Sequence, residues 1–147
     1  MKTKTLFILI LLCSMANIIF GQEYKEFEFD GKVSIRYKLI NEVEVTIYDE
    51  GMKIKQFTTA PSGKFIFKGS SEKHYSIQFE QEGYETKRIA INTDNTRGIK
   101  EKIAPYRFKV TLNKKPIDRK LDHVNTIVGV IEINSDKTKF IHNTPTI

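Results

Sequence analysis

Apolar and polar residues alternate along most of this chain with a period of two, which is typical of a β-strand with one buried and one solvated face. The longest alternation covers residues 27–39, where odd positions are apolar or glycine and even positions are charged or serine. Gly31 interrupts the apolar face, and we expect a bulge or a bend there. The same pattern predicts further strands at residues 43–47, 75–79 and 89–91.

A turn signal near the middle of the chain separates two of these extended segments. Pro61 fixes φ at about −65° and Gly63 accepts a positive φ without steric cost, so this stretch reverses the chain easily. Aromatic and β-branched residues flank the turn across residues 57–67, and we therefore expect a β-hairpin rather than the start of a helix. Ahead of it the apolar phase shifts between Ile54 and Phe57, which predicts a β-bulge.

The second half of the chain is also expected to form strands. A polar connection at residues 92–105 precedes a clean alternation at residues 106–112, a more continuously apolar strand at 126–133 and a weak last strand at 138–142. No segment has the 3.6-residue period of an amphipathic helix. We therefore expect an all-β fold, an antiparallel β-sandwich of about seven strands (transthyretin-like or immunoglobulin-like) with a C-terminal β extension.

The extension is expected to depend on the first sandwich for its stability. From residue 105 onward only about 43 positions remain, near the lower limit for an isolated core without disulfides or metal. We therefore expect residues 106–112 to pair with the first sandwich or to pack on it.

The chain opens with the pattern of a secretory signal peptide. Lys2 and Lys4 precede an apolar run at residues 6–20, and Gly21 follows as the small residue at which hydrophobicity stops. We expect cleavage after Gly21, with Ala16 as a second candidate site. The alternative is an uncleaved membrane anchor, but the run falls short of the roughly 20 residues that span a bilayer. The expected organisation is a signal peptide at 1–21, a β-sandwich at 22–95 and the extension at 96–147.

Composition agrees with an exported globular domain. Of the 147 residues 39% are hydrophobic, and 10 phenylalanines and 6 tyrosines supply enough apolar surface for a core. The formal net charge of +6 falls to +4 when Lys2 and Lys4 leave with the signal peptide. Cys13, the one cysteine, leaves with them, so the mature chain is expected to have no disulfide, thiol nucleophile or thiolate metal site. Leu12 is bulky for the position before a lipidated cysteine, which argues against a lipoprotein.

Nine positions between residues 29 and 92 carry a resemblance to a known family. A glycine and a valine open the first strand, a threonine precedes a Ser-Gly-Lys-Phe turn, and a Gly-Tyr corner follows a tyrosine-bearing strand. In this order and spacing they resemble the carboxypeptidase regulatory-like domains, relatives of the transthyretin-like and Cna-B-like β-sandwiches. The nine signature positions are Gly31, Val33, Val45, Thr59, Gly63, Phe65, Tyr75, Gly83 and Tyr84.

The resemblance implies more about location than about chemistry. The mature chain looks like small exported proteins of Bacteroidota that carry this domain, some of them parts of outer-membrane-associated machinery. It implies a periplasmic, outer-membrane-associated or secreted protein, although fold alone does not fix function. Ala60 and Ser62 stand where the family often has aspartates, so an ion at this turn is not expected.

Catalytic chemistry finds little support in the sequence. Three histidines, His74, His123 and His142, are scattered without the spacing of metal ligands. The nearest thing to a constellation combines His123 with Asp118 and Asp122, and it is more typical of a polar loop than of a site. No Gly-x-Ser-x-Gly motif occurs. We therefore expect no catalytic residue, no metal and no cofactor, and hence no enzyme.

Four cations close together at residues 114–120 form a candidate binding surface. They are suited to acidic glycans or lipid phosphates at an envelope surface, whereas the alternative is a solvated loop. The four residues of this basic cluster are Lys114, Lys115, Arg119 and Lys120.

Two classes of function stay open at this point. The first is a non-catalytic structural or protein-interaction module of the cell envelope, and the alternative is a carbohydrate-binding module of the starch-binding-like type. The expected partner is an envelope protein or a glycan, with peripheral association with the outer membrane and no contact with nucleic acid.

Exposed side chains would separate these two classes. A row of aromatic residues on one sheet face, to which Tyr24 and Tyr48 could contribute, would favour a glycan. A flat polar face with a free edge would favour a protein partner. The turns at residues 49–52, 60–63 and 81–84 are candidates for a binding rim.

Overall fold

A computed structural model describes residues 25–35, 42–115 and 127–144 of the chain. Among these residues no helix is long and apolar enough to cross a membrane. Several predictions concern residues outside the described ranges, namely the signal peptide with Cys13, and Tyr24, Asp118, Arg119, Lys120, Asp122 and His123.

The described residues form nine strands and one short 3-10 turn at Asp94–Thr96. The alternating segments of the sequence become strands because each can bury one face. The strands are β1 (Glu26–Ile35), β2 (Glu44–Asp49), β3 (Met52–Thr58), β4 (Lys64–Ser70), β5 (His74–Glu80), β6 (Lys87–Asn92), β7 (Tyr106–Leu112), β8 (Ile127–Ile133) and β9 (Phe140–Asn143).

Two sheets hold these strands, one of three strands in the order β4-β1-β7 and one of six in the order β3-β2-β5-β6-β8-β9. The predicted all-β sandwich is thus confirmed. Two neighbouring pairs, β1 with β7 and β6 with β8, are parallel, and the others are antiparallel. Parallel neighbours need a long crossover, and in both pairs the two strands are far apart in sequence. The β1–β7 ladder confirms that residues 106–112 join the first sandwich.

The core lies between the two sheets and is rich in aromatic rings. Alternate residues of β1, β4 and β7 are buried, and they meet the buried residues of the larger sheet. Phe67 of β4 packs edge-on against Tyr75 of β5 with ring centroids 5.0 Å apart. Phe29 of β1 meets Phe140 of β9 at 5.0 Å. The alternation in the sequence is therefore an alternation between core and solvent.

The segment at residues 57–67 is not a hairpin, contrary to the expectation from its sequence. β3 pairs with β2 in the larger sheet and β4 pairs with β1 in the smaller one, so the turn carries the chain between sheets. The turn itself is present, since the Gly63 N–H donates to the Ala60 carbonyl at 2.7 Å and Gly63 has a φ of 75°. The turn residues determine only that the chain reverses direction, and they do not determine which strand the next segment pairs with. The pairing follows from burial, because Phe65 enters the core between the sheets.

β1 passes through Gly31 without the expected bulge. Gly31 stays in register with Phe65 of β4 on one side and with Phe108 of β7 on the other. Glycine is required here for space, because a β-carbon at residue 31 would collide with the Phe65 ring. This is the close approach that glycine permits inside a strand.

The bulge predicted ahead of the turn is confirmed in β3. Ile47 of β2 lies opposite Lys55, and Tyr48 lies opposite Lys53, so Ile54 is the extra residue. A bulge of this kind twists the strand and interrupts its ladder.

A buried threonine ties the two sheets together at one end. Thr93 follows β6 and is fully buried. Its hydroxyl donates to the Ser70 carbonyl at 2.9 Å and accepts from the Lys73 N–H at 2.9 Å. The Thr93 carbonyl also accepts from the Glu72 N–H at 3.0 Å. The loop between β4 and β5 is thereby held against the end of β6.

Candidate functional site

Four of the nine signature positions meet at the β1–β4 ladder. Besides the contact of Gly31 with Phe65, the Val33 N–H donates to the Gly63 carbonyl at 2.8 Å. A β-carbon at Gly63 would collide with the Val33 carbonyl, so this position also requires glycine. Next to the turn, the hydroxyl of Thr59 accepts from the backbone N–H of residue 43 at 3.3 Å.

The remaining signature positions also hold packing or turn geometry. Val45 is fully buried, and the Tyr75 hydroxyl accepts from the Ser70 N–H at 2.9 Å. Gly83 has a φ of 81° in the turn after β5, and Tyr84 forms an isolated bridge with Lys114. All nine positions therefore have a structural role in the sandwich, and two of them, Gly83 and Tyr84, also line a surface cleft.

The edge strand β3 is exposed on both faces. Every residue from Met52 to Gln56 is exposed, including the apolar side chains of Met52 (70%) and Ile54 (52%). Among the described strands only β2 pairs with β3, and Phe57 is the one residue of β3 that is partly buried against the core. A strand in this position offers both backbone hydrogen-bonding groups and side chains to a partner.

The other edge strands of the described sheets differ from β3. β9 has only four residues, and short edge strands resist pairing. In β4 and β7, alternate side chains are buried in the core. On β4 the apolar Ile66 is 55% exposed on the outer face. β3 alone among the described strands combines a free edge with no buried side chain.

The outer face of the larger sheet has no exposed row of aromatic residues within the described ranges. Tyr48 of β2 lies on this face under the Arg88 guanidinium, 5.2 Å from the ring centroid. Arg88 also donates to the Gln78 side chain. The ring of Tyr48 is therefore already covered by a cation and is not free for stacking on a sugar.

One of the two described members of the predicted basic cluster, Lys115, lies beside an acidic cleft. The Lys115 N–H donates to the Gly83 carbonyl at 3.0 Å, which fixes this segment next to the turn after β5. The cleft has a volume of about 580 Å³, and Glu44 and Glu80 are directly opposed there across the β2–β5 ladder. The residues that line it include Glu42, Glu44, Glu80, Glu82 and Lys115. Lys115 therefore faces glutamates, and the predicted basic cluster as a whole stays a prediction because Arg119 and Lys120 lie outside the described residues.

The two described histidines make surface contacts. His74 contacts the carboxylate of Glu50 at 3.2 Å through Nδ1 and that of Asp94 at 2.6 Å through Nε2. The ring of His142 lies against Gly129 on the neighbouring strand. Within the described ranges no group of three or more histidine, cysteine or acidic side chains is arranged to hold a metal ion.

The three turns proposed as a binding rim lie at two opposite ends of the larger sheet. β2 begins next to the ends of β3 and β5, near the turns at 60–63 and 81–84. The turn at 49–52 follows the other end of β2. A single rim made of all three turns is therefore wrong, because the strand length of β2 separates them.

A row of three lysines crosses the outer face of the three-stranded sheet. Lys32 of β1 is directly opposite Lys64 of β4 on one side and Lys109 of β7 on the other. In the next row Arg107 lies 3.5 Å from the Asp30 carboxylate. Sequence reasoning missed this lysine row because its members are polar positions on three separate strands. Strand register brings them together, and only the pairing of β1 with both neighbours could have revealed it.

No family model matches this chain, and no curated protein matches it. Among solved structures it is similar to 3-chlorocatechol 1,2-dioxygenase from Rhodococcus opacus 1CP, with 14% sequence identity and a TM-score of 0.46. The likeness covers 65% of this chain, and the chain spans 62% of the length of that enzyme. A likeness of this degree supports no inference about family or activity.

Proposed function

We propose that this chain is a non-catalytic binding module of the cell envelope, which holds an extended acidic segment of a partner protein along the free edge of β3. The observation that carries the proposal is the exposure of β3 on both faces from Met52 to Gln56. Adding a strand to an exposed sheet edge is a common mode of peptide recognition, in which backbone hydrogen bonds give affinity and alternate side chains give specificity.

The side chains of β3 favour an acidic partner. Lys53 and Lys55 flank the bulge at Ile54, and both are exposed. Two copies of β3 that paired with one another would bring these lysines close together, and a bulge with lysines is a known protection of edges against such self-pairing. Carboxylates on a partner strand would instead be attracted to both lysines. Met52 and Ile54 would be covered in the same step.

Glycan binding of the starch-binding-like type is the weaker candidate. It would need an exposed row of aromatic rings, and Tyr48, on the outer face of the larger sheet, is covered by Arg88. The resemblance to the carboxypeptidase regulatory-like domains supports a module attached to a larger envelope system. Export, with a periplasmic, outer-membrane-associated or secreted location, belongs to the same proposal and is supported by the signal-peptide pattern.

Site-specific photo-crosslinking in native envelope tests the proposed edge. Ile54 and Ile66 form a matched pair, because they are the same residue type with exposed fractions of 52% and 55% on different sheets. A photo-reactive residue at position 54 of the full chain is expected to yield one discrete protein adduct, and the same residue at position 66 is not. Lys53→Glu together with Lys55→Glu should abolish the adduct. Adducts of equal yield from both positions, or turnover of an ester or glycoside by the purified protein, would overturn the proposal.

The export part of the proposal is tested by a separate measurement, the N-terminus of the mature protein. The mature protein recovered from the periplasm or medium should begin at Gln22, or at Asn17 if the second site is used. Intact mass and N-terminal peptide spectra distinguish the two. A soluble cytoplasmic product that retains Met1 would contradict the export part of the proposal and leave the edge of β3 to be judged by crosslinking.

A further inference from the structure

The lysine row on the three-stranded sheet places like charges directly opposite one another. Lys32 faces both Lys64 and Lys109 across the ladders of β1. None of the three forms an ion pair with another described residue. Like charges in directly opposed positions destabilise a sheet, so the row works against the stability of the free protein. An anion bound along it would remove that repulsion.

Elsewhere on the same face, charges of opposite sign form ion pairs between strands. Glu26 of β1 lies 3.2 Å from Lys68 of β4. Asp30 of β1 lies 3.5 Å from Arg107 of β7. Opposite charges thus meet across both ladders at these positions, whereas like charges are directly opposed on this face only in the lysine row.

We propose that the lysine row binds a linear acidic polysaccharide, with one carboxylate or sulfate group at each lysine. Neighbouring strands lie about 4.8 Å apart, so three lysines across three strands span about 10 Å. Acidic groups on consecutive sugar rings follow one another at a comparable interval. In an extended peptide, side chains on one face recur only about every 6.8 Å. A sugar chain with one acidic group per ring matches the charge density of the row, and its hydroxyl groups suit the Ser34 and Thr111 hydroxyls beside the row.

The surroundings of the row suit such a chain. The lysines border an open depression of about 730 Å³ that is also lined by Arg107, by its ion-pair partner Asp30 and by Phe108. On the other side of the row the hydroxyls of Ser34 and Thr111 lie 3.4 Å apart across β1 and β7, where they can bond sugar hydroxyls. No aromatic ring is needed, because charge rather than stacking supplies the attraction.

An anionic membrane fits this face less well. Glu26, Glu28 and Asp30 project from β1 on the same side of the sheet as Lys32, since all four occupy even positions of one strand. A planar anionic surface would press against these carboxylates together with the lysines. A narrow polymer lying across the strands contacts the row and meets only one of these carboxylates, Asp30, which is paired with Arg107.

This site is independent of the proposed function, because it lies on the smaller sheet and β3 belongs to the larger one. Loss of the β3 crosslink with retained polysaccharide binding would refute only the edge proposal. The reverse result would refute only the lysine row.

Oligogalacturonates of increasing length, titrated into the full mature chain by calorimetry, test the inference. Affinity should rise from one to three sugar residues and level off beyond three. The triple variant Lys32→Gln, Lys64→Gln, Lys109→Gln should bind the trimer about tenfold more weakly or worse, with a smaller dependence on salt. The triple arginine variant at the same positions keeps the charge and should keep the binding. NMR shift changes on the parent protein should map to these three positions.

A charge-matched control separates the row from general basicity. Lys100→Gln, Lys102→Gln, Lys139→Gln removes equal charge from exposed positions outside both proposed sites and should leave trimer affinity unchanged. Equal loss in both triple glutamine variants would overturn the proposal. A trisaccharide that binds no more tightly than the monosaccharide would also overturn the proposal. Binding of the parent to phosphatidylglycerol vesicles or to poly-glutamate that depends on the lysine row, without binding to the oligosaccharides, would overturn it in favour of a membrane or a peptide.

Discussion

The ring of Phe65 on β4 occupies the space that a β-carbon at Gly31 on β1 would fill. The two residues are cross-strand partners, so the glycine opens a gap in the smaller sheet and the ring closes it. From there Phe65 reaches Phe79 of the larger sheet at 5.5 Å and Phe108 of β7 at 5.8 Å between ring centroids. A glycine inside a strand is unfavourable by about 0.5–1 kcal/mol, and the aromatic contacts offset that cost.

Gly31→Ala is expected to destabilise the protein by about 1–3 kcal/mol, because the methyl group forces the Phe65 ring out of its position. Urea unfolding of the mature chain measures the loss. In a Phe65→Leu background the same alanine should cost much less, so the two substitutions should show favourable coupling in a double-mutant cycle. An equal loss of stability from Gly31→Ala in both backgrounds would mean that the new methyl group does not clash with the Phe65 ring.

Phe65→Ala should destabilise the protein by about 3–5 kcal/mol, as is usual for truncation of a buried phenylalanine. Its neighbour Lys64 projects to solvent from the outer face of the same strand, and Lys64→Ala should change the free energy of unfolding by no more than about 0.5 kcal/mol. Matched urea melts compare the two variants. Equal effects would mean that β4 is in the opposite register.

Local signals predicted the faces of the strands but not their partners. The alternation around Phe65 correctly placed its ring in the core, and the phase shift before Phe57 correctly predicted the bulge at Ile54. The Pro61–Gly63 turn was wrongly expected to join paired strands, since a turn motif constrains only the reversal. Which strand lies beside which is decided by burial between residues distant in sequence.

For the candidate surfaces, too, the local sequence does not reveal which residues become neighbours. The basic residues Lys114 and Lys115 attract notice in the sequence because they are adjacent, yet Lys115 lies beside glutamates. Lys32, Lys64 and Lys109 are dispersed along the chain and become neighbours only through the ladders of β1. A charged surface built across strands is therefore invisible until the register is known.

Thr93→Val is expected to cost about 1–3 kcal/mol, because it leaves the Ser70 carbonyl and the Lys73 N–H without their buried hydroxyl partner. Thr111→Val is the matched control, since Thr111 is exposed on β7 and its valine should be close to neutral. Thermal or urea unfolding compares them. Equal stability of the two valine variants would show that the Thr93 hydroxyl does not tie the sheets together.

Tyr106 should make stability fall at high pH. Burial raises the pKa of this phenol above its ordinary value, because the ionised form is less well solvated in the fold. The unfolded chain then releases this proton first, so the contribution of Tyr106 to stability is constant below a pH of about 10 and declines above it. The difference in unfolding free energy between the parent and Tyr106→Phe isolates this effect. A difference that does not vary with pH would contradict it.

A truncated mature chain ending at Asp94 is expected to be largely unfolded. It would lose β7, which pairs with β1 in the smaller sheet, and also β8 and β9. Of these two, β8 pairs with β6 in the larger sheet. The buried side chains removed include Phe108, Leu112, Ile131 and Phe140. Each such side chain contributes on the order of 1.5–3 kcal/mol when fully buried, and the net stability of a domain is only about 5–15 kcal/mol. Circular dichroism and a urea melt of the truncated chain, beside the full mature chain, measure the loss. A truncated chain with a cooperative transition of undiminished midpoint would mean that the four inter-strand ladders among β1–β6 suffice and that the later strands are a dispensable addition.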